Sequence, residues 1–468
     1  MSPASAPATA PENLRRGIGR LDAVALVVGS MIGSGIFIVS AESARLVRTP
    51  SLLLAVWAVA GLLTMAAAVS CAELAAMLPK AGGQYVFFRE AYGPLAGFLF
   101  GWAMLLVIQT GTIAAVAAAF ARFLAVLFPM LSDTPWIAAG PLALSPQRLV
   151  AIGVIVVLTA TNGTGLRAGT LTQNVFTAAK LVALLALILG GLLLGRAEVG
   201  RSPDDAFSRA LLAPRTAFDG VFAFAAAMVG PFFAQTAWNN VTFASEEVRD
   251  PGRNLPRALV LGCLIVTIAY VVTNVAYLKT LGFGGIAAAP QDRVGTAAAG
   301  ALFGPAGTLA MAAAVMVSTF GCVNGLILAG ARVSYAMARD GHFFSGLARL
   351  NPAAVPSHAL WLQAAWASVL VLSGTYSQLL RYVVSADLLL YVMLVLAVPA
   401  LRRRRPDLPR PFRAPGYPWL QWAYAAAGVA LILLLLRGPT ATWPGYLLLA
   451  SGVPVFFLWR VGLRREPR

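Results

Sequence analysis

The chain has 468 residues, of which 59% are hydrophobic and only 11% charged, and its mean hydropathy is +0.78. Soluble domains carry roughly 25% charged residues, so this composition cannot supply a water-facing surface, and disorder fails too because it needs low hydrophobicity. A net charge of +17 would suggest nucleic acid in a soluble protein, but here the basic residues lie in short loops between apolar runs, the pattern of membrane topology and not of a nucleic-acid partner.

The chain opens on a polar, Pro/Ala-rich arm, 1–20, which is not a cleavable signal peptide because the apolar run after it is too long and leads into further runs. A helix crosses a bilayer with about 20 mainly apolar residues. Twelve runs of about that length follow, at 23–41, 49–72, 91–121, 149–166, 168–195, 220–245, 258–278, 294–331, 359–380, 382–401, 414–436 and 438–459. One charge interrupts the fifth (Lys180) and one the tenth (Asp387). Backbone polar groups in lipid need internal partners, so the runs predict helices, and the alternation of a β-barrel is absent. The expected fold is an all-α, polytopic membrane protein with 12 transmembrane helices. Of the 35 Lys and Arg residues, 22 fall on the segments that share a side with the N-terminus and 11 on the other. That bias predicts both termini in the cytoplasm, in a cell (inner) membrane. Cys71, Cys263 and Cys322 all lie within apolar runs, so no disulfide-linked accessory subunit is expected; the oligomeric state is not legible.

Two runs carry helix-breaking signals. The first reads LDAVALVVGSMIGSGIFIVS, with Gly33-Ser34-Gly35 at its middle. Glycine weakens a helix interior, and unwound backbone at membrane depth is tolerated only inside protein or beside a cavity. The amides freed there would form an anion site; a close-packing patch of small residues explains the motif about as well. The sixth run reads FAFAAAMVGPFFAQTAWNNVTFASEE, in which Gly230-Pro231 predicts a break followed by Gln235, Thr236, Asn239 and Asn240. Interrupted helices at corresponding places in two halves point to the binding site of a secondary transporter. They imply a LeuT-like 5+5 inverted repeat with discontinuous helices 1 and 6. The first repeat would span 21–195 and the second 216–401, with an outer loop at 196–215. A cytoplasmic loop at 402–417, two appended spans at 418–461 and a tail at 462–468 complete the division.

Several segments carry a family resemblance: GSMIGSGIF, AGGQYVFFREAYGPLAGFLFGW, FTAAKLVALL, AWNNVTFASEEVRDPGRNLPRAL and FGCVNGLILAGARVSYAMARDGHFF. Long and in the right order, they resemble the amino acid–polyamine–organocation superfamily over about residues 14–435. The nearest likeness is to its L-type amino acid transporter branch and to bacterial amino acid permeases.

The resemblance implies a substrate site. The amides of Ile32, Gly33, Ser34 and Gly35 would meet the α-carboxylate. Carbonyls of Met31 or Ile32, and of Phe233 with its neighbours, would meet the α-ammonium. Phe233 matches an aromatic gate, and Lys180 falls where sodium-driven relatives hold sodium against the first span. A fixed ammonium there implies sodium independence, and proton carriage stays open as a second role. A lysine in mid-span costs at least ~2.5–3.5 kcal/mol unless paired or hydrated. Thr236 replaces the carboxylate that some relatives use for cationic substrates, and Ala237 replaces a glycine, which together favour small to medium neutral amino acids. Gln109, Asn324 and Asn239 are intramembrane amides that either line the pocket or bond neighbouring helices. Glu246 and Glu247, with Arg332 and Arg20, form either a cytoplasmic gate or a solvated loop face.

An intramembrane enzyme is the alternative of a different class, but no HExxH, GxSxG, CxxC or phosphate loop is present. His342 and His358 lie in or beside one inner loop, and nothing calls for a cofactor or metal. A non-transporting membrane amino acid sensor and a proton-coupled symporter remain beside the leading expectation, which is sodium-independent exchange.

Overall fold

In the computed structural model the described residues are 17–463, except 81, 140–141, 165–166, 197–216, 354, 375 and 438–442. The arm before 17, the loop at 197–216 and the tail from 464, on which the sequence reading also placed basic residues, lie outside the description. The helices, in chain order, are α1 (Arg20–Met31), α2 (Gly35–Ile38), α3 (Ser40–Val47), α4 (Pro50–Met77), α5 (Gln84–Tyr92), α6 (Pro94–Ala103) and α7 (Gln109–Leu127). They continue with α8 (Pro146–Gly163), α9 (Arg167–Leu194), α10 (Ala217–Ala234), α11 (Asn240–Phe243), α12 (Pro251–Ala287) and α13 (Val294–Arg339). The last are α14 (Ser357–Ser373), α15 (Tyr376–Arg404), α16 (Trp419–Arg437), α17 (Trp443–Ala450) and α18 (Gly452–Leu463). The π-helical turn Met104–Ile108 joins α6 to α7. One small antiparallel hairpin, β1 (Ile137–Ala139) with β2 (Leu142–Leu144), pairs Ile137 with Leu144 in a loop that the helical reading left without structure.

Local signals start several helices. Pro50 and Pro146 stand in first turns, where a missing amide is harmless. The hydroxyls of Thr49 and Ser145 accept from Leu52 N at 3.4 Å and Arg148 N at 3.3 Å. Among the described residues eight helical stretches are long and apolar enough to cross a membrane, by length and composition. The run at 294–331 is one continuous rod only by hydrogen bonding, because Gly304, at φ 67°, sets a kink before Pro305.

The packing is inverted relative to a soluble protein. On α9, Val182, Leu185 and Leu193 are exposed while Lys180, Leu184 and Leu187 are buried. On α12, Leu264, Ile265 and Ile268 are exposed while Cys263, Val266 and Tyr270 are buried. Apolar side chains outside and an ammonium inside suit lipid, not water. The chain is an all-helical, multi-pass membrane protein.

At the end carrying the Arg402–Arg405 run, Glu73 of α4 is buried and accepts a two-pronged pair from Arg402, Nε to Oε1 at 2.8 Å and Nη2 to Oε2 at 2.7 Å. Ala414 N donates to the same carboxylate at 2.7 Å. This ties the 402–417 segment beneath α4. Arg402→Met leaves that charge under-compensated and is expected to lower stability by about 1.5–3 kcal/mol, read as the thermal unfolding midpoint in detergent. An unchanged midpoint would show the pair to be incidental.

Candidate functional site

The first span divides where its glycines stand. Helix α1 ends at Met31, Ile32 turns extended (φ −76°, ψ 91°), and α2 begins at Gly35. Val39 keeps helical angles (φ −70°, ψ −19°), so α2 and α3 run on as one arm. Ile32 N is used within α1, bonding Val28 O at 3.0 Å. It is therefore not one of the free amides. Those of Gly33, Ser34 and Gly35 have no backbone acceptor among the described residues.

The carbonyls freed by the break are capped from other helices. Lys180 Nζ donates to Gly29 O. Cys322 Sγ lies 4.0 Å from Ser30 O, Tyr270 OH donates to Met31 O at 2.9 Å, and Ser318 Oγ donates to Ile32 O at 3.5 Å. Spans from α9, α12 and α13 thus hold the frayed end of α1 in shape. Unpaired carbonyls there would each cost the desolvation of a buried acceptor.

The second break lies four residues beyond its expected place. Helix α10 passes through Gly230-Pro231 and ends at Ala234. Proline removes the amide that would bond the carbonyl four residues back. Here Ser43 Oγ, from α3, donates to that carbonyl, Ala227 O, at 2.9 Å. With its acceptor satisfied by a neighbour, the proline is tolerated. The chain then unwinds over Gln235–Asn239, and α11 resumes at Asn240. Ala237 sits at φ 66°, a left-handed conformation that costs a residue with a Cβ about 1–2 kcal/mol. Ala237→Gly is expected to raise stability by about 0.5–1 kcal/mol once the entropy lost by glycine is deducted. A fall in the unfolding midpoint would contradict this.

The two breaks touch. A Cβ built on Gly35 would lie 2.5 Å from Ala234 Cβ and 2.8 Å from Ala234 Cα. The Phe233 carbonyl beside this contact already accepts Thr236 N at 3.0 Å and Thr236 Oγ1 at 2.7 Å. Both of its lone pairs are used. The Phe233 ring is edge-on to Tyr376 (centroids 6.4 Å apart), and Tyr376 OH is 3.2 Å from Ser34 Oγ. Arg122 stacks over the Tyr376 ring at 5.4 Å. Tyr376 thus joins the span-1 break to the aromatic side chain at the end of α10.

The remaining candidates divide into two groups. Gln235 stays at the break, donating to Trp57 O at 3.3 Å and accepting from Thr267 Oγ1 at 3.0 Å. Asn239 Nδ2 donates to Gln84 Oε1 at 3.0 Å, which fastens the second break to α5. Gln109 and Asn324 are turned to other helices. Gln109 Nε2 donates to Leu326 O at 2.6 Å, and Asn324 Oδ1 accepts from Asn162 Nδ2 at 2.7 Å.

Arg332 Nη2 meets Glu247 Oε1 at 3.1 Å. Gly17 N and Ile18 N donate to Glu247 O at 2.9 and 3.0 Å, and Arg249 N returns a bond to Ile18 O at 2.9 Å. The start of the chain therefore straps the foot of α11. Glu246 adjoins this pair, and Arg20 is exposed at the start of α1. Tyr85 OH donates to Asp340 Oδ2 at 2.8 Å; burial, then the Asp340 carboxylate, push this phenol upward so that it stays protonated.

Tyr270, Ser318, Cys322 and Tyr376 are not foreseen from the sequence as neighbours of the first break. Each is a polar residue in an apolar stretch, a visible signal, but nothing in a linear pattern says that their side chains converge on residues 30–34.

A family model described as "Amino acid permease" matches residues 18–456. The chain is 33% identical to rabbit (Oryctolagus cuniculus) "Large neutral amino acids transporter small subunit 2" over 95% of its own length and 80% of the relative's. It is 29% identical to mouse (Mus musculus) "b(0,+)-type amino acid transporter 1" over 96% and 88% of the two chains. Mouse "Asc-type amino acid transporter 1" is 31% identical over 96% and 82%. With a match across nearly all of its length and broken helices where the motifs lie, the chain belongs to the amino acid permease family of the amino acid–polyamine–organocation superfamily.

Proposed function

We propose that the protein is a sodium-independent secondary transporter that exchanges small to medium neutral L-amino acids by alternating access. The observation that carries this reading is the meeting of two interrupted helices at Gly35 and Ala234, with amides that have no backbone acceptor among the described residues on one side of the contact and an unwound segment on the other. Free amides suit a carboxylate and free carbonyls an ammonium, so the pair suits a zwitterion. The carboxylate falls to Gly33, Ser34 and Gly35, the ammonium to carbonyls next to Phe233. Lys180 fills the place of a coupling cation by holding Gly29 O. Thr236 and Ala237 leave no counter-charge for a basic side chain. The names of the relatives, which include large neutral amino acids, support the substrate class.

The same reading takes the helices as twelve spans in a 5+5 inverted repeat, 21–195 and 216–401, with the appended pair 418–461 and both termini cytoplasmic in the cell membrane. Shorter apolar helices at Ala178–Leu194, Asp219–Ala234 and Trp443–Trp459 supplement the eight long ones, and α14 (Ser357–Ser373) is taken as the twelfth. Phe233 with Tyr376 forms the outer gate. A cavity of about 70 Å³ lies between α3, α10 and α15, lined by Ser43, Gly230 and Ser377 among others. Glu247 with Arg332, and Glu246 beside them, forms the inner gate. Association with a partner chain, raised by the small-subunit name of one relative, would be non-covalent, since the three cysteines are buried.

Purified protein in liposomes preloaded with unlabelled neutral amino acids should take up labelled L-alanine by counterflow, equally with and without sodium. Binding without counterflow would make the protein a sensor, and strict sodium dependence would remove the role given to Lys180. For the inner gate, Glu247→Lys is expected to change turnover by up to about fivefold, as a partly exposed pair is worth at most about 1 kcal/mol, and adding Arg332→Glu should restore it. No rescue by the double variant would dismiss the pair.

A further inference from the structure

A fixed cation stands beside the candidate site, and the transport reading gives it no role. Arg122, near the end of α7, holds its guanidinium 5.4 Å from the centroid of the Tyr376 ring. Tyr376 OH is in turn 3.2 Å from Ser34 Oγ, in the segment assigned to the substrate carboxylate. A single buried ring therefore separates the cation from that segment. Backbone carbonyls fix the position of the cation and of a second one next to it. Arg122 Nη1 donates to Gln291 O at 3.3 Å, and Arg293 Nη1 donates to Arg122 O at 3.2 Å.

The carboxylates beside these groups are taken by other arginines. Asp292 Oδ1, next to Gln291, pairs with Arg45 Nη2 at 2.8 Å. Glu42 accepts from Ser377 Oγ at 3.2 Å and lies 4.0 Å from Arg381 Nη1. Of the ion pairs among the described residues, none includes Arg122 or Arg293. An aromatic face attracts a cation without neutralising it, so the charge of Arg122 remains to act on whatever reaches Ser34. Its attraction for an α-carboxylate is common to all amino acids. An ammonium on the side chain adds a repulsion that nothing offsets. Unit charges on the order of 15 Å apart, at an effective dielectric constant of about 20, change an affinity about fivefold.

We propose that Arg122 is a specificity-determining residue whose charge, acting across Tyr376, lowers the affinity of the site for amino acids with a cationic side chain. The inference rests on the transport reading above and deepens its substrate class. Thr236 withholds support from a basic side chain, whereas Arg122 actively opposes one.

The test uses the full chain in liposomes and the inhibition of labelled L-alanine counterflow by L-ornithine and by L-norleucine. These two differ by an ammonium in place of a terminal methyl, so the ratio of their half-inhibiting concentrations reads charge at nearly constant shape. Arg122→Gln should lower the ornithine-to-norleucine ratio about fivefold, and Arg122→Lys, which keeps the charge, should hold it near the wild-type value. An unchanged ratio in Arg122→Gln overturns the proposal, and so does an equal fall in Arg122→Lys, which would assign the effect to shape. Should the glutamine variant fail to insert, the wild-type ratio is expected to fall as salt, balanced across the membrane, rises from about 20 mM to about 500 mM; a flat ratio counts against the proposal. Wild-type vesicles without alanine counterflow end the transport reading, whereas counterflow with a ratio that ignores the charge at position 122 ends only this inference.

Discussion

Gly35→Ala is expected to cut uptake roughly 5- to 150-fold in a protein that still inserts and folds. The added methyl would fall 2.5 Å from Ala234 Cβ and 2.8 Å from Ala234 Cα. The second of these is backbone, so no rotamer change relieves the clash. Overpacking of this kind costs about 1–3 kcal/mol, which corresponds to that range of rate or affinity. The penalty falls on a contact at which the two breaks meet directly. Gly33→Ala adds the same methyl within the carboxylate site, where its Cβ would meet Cys322 Sγ at 3.4 Å, an ordinary contact, and so separates crowding of the second break from a change in that site. Initial rates of labelled alanine uptake at equal membrane abundance decide the matter. Equal activity of both variants would show that the Gly35–Ala234 contact opens freely during the cycle.

Removing the ammonium of Lys180 should be nearly as damaging. Its side chain is 1% exposed and ends on Gly29 O. Lys180→Ala leaves this carbonyl unsatisfied, at about 1–3 kcal/mol, and leaves a void beside α1. Lys180→Met keeps the length of the side chain but not the donor, so the two variants separate packing from hydrogen bonding. Both are expected to lose uptake about tenfold or more, on the upper half of that penalty. Recovery in Lys180→Met alone would assign the effect to volume. Undiminished uptake by Lys180→Ala would refute the view that a fixed charge holds the first break.

The candidate site was legible in part. Gly33-Ser34-Gly35 marks the first break because glycine destabilises helix wherever it stands, and the structure unwinds there. Gly230-Pro231 gave a signal of the same local kind, yet the helix passes through it. The difference is the Ser43 hydroxyl, 184 residues before Ala227 in the chain, which satisfies the carbonyl that proline orphans. Ala237 carries the opposite lesson. Nothing about alanine announces a left-handed residue, but the turn between α10 and α11 requires one. Gln109 and Asn324 look alike in sequence to Gln235, and only their partners separate scaffold from break.

Membrane residence, the helical class and the family were set by sequence alone. Hydrophobic runs must bury their backbone bonds internally, and each run carries that requirement within itself. What closes each break was decided by tertiary structure. The donors for residues 29–32 come from α9, α12 and α13, and Tyr376 comes from α15. Such pairings join positions more than a hundred residues apart. Hydrogen bonds to a frayed backbone end depend on where neighbouring helices stand, not on the order of residues along any one of them.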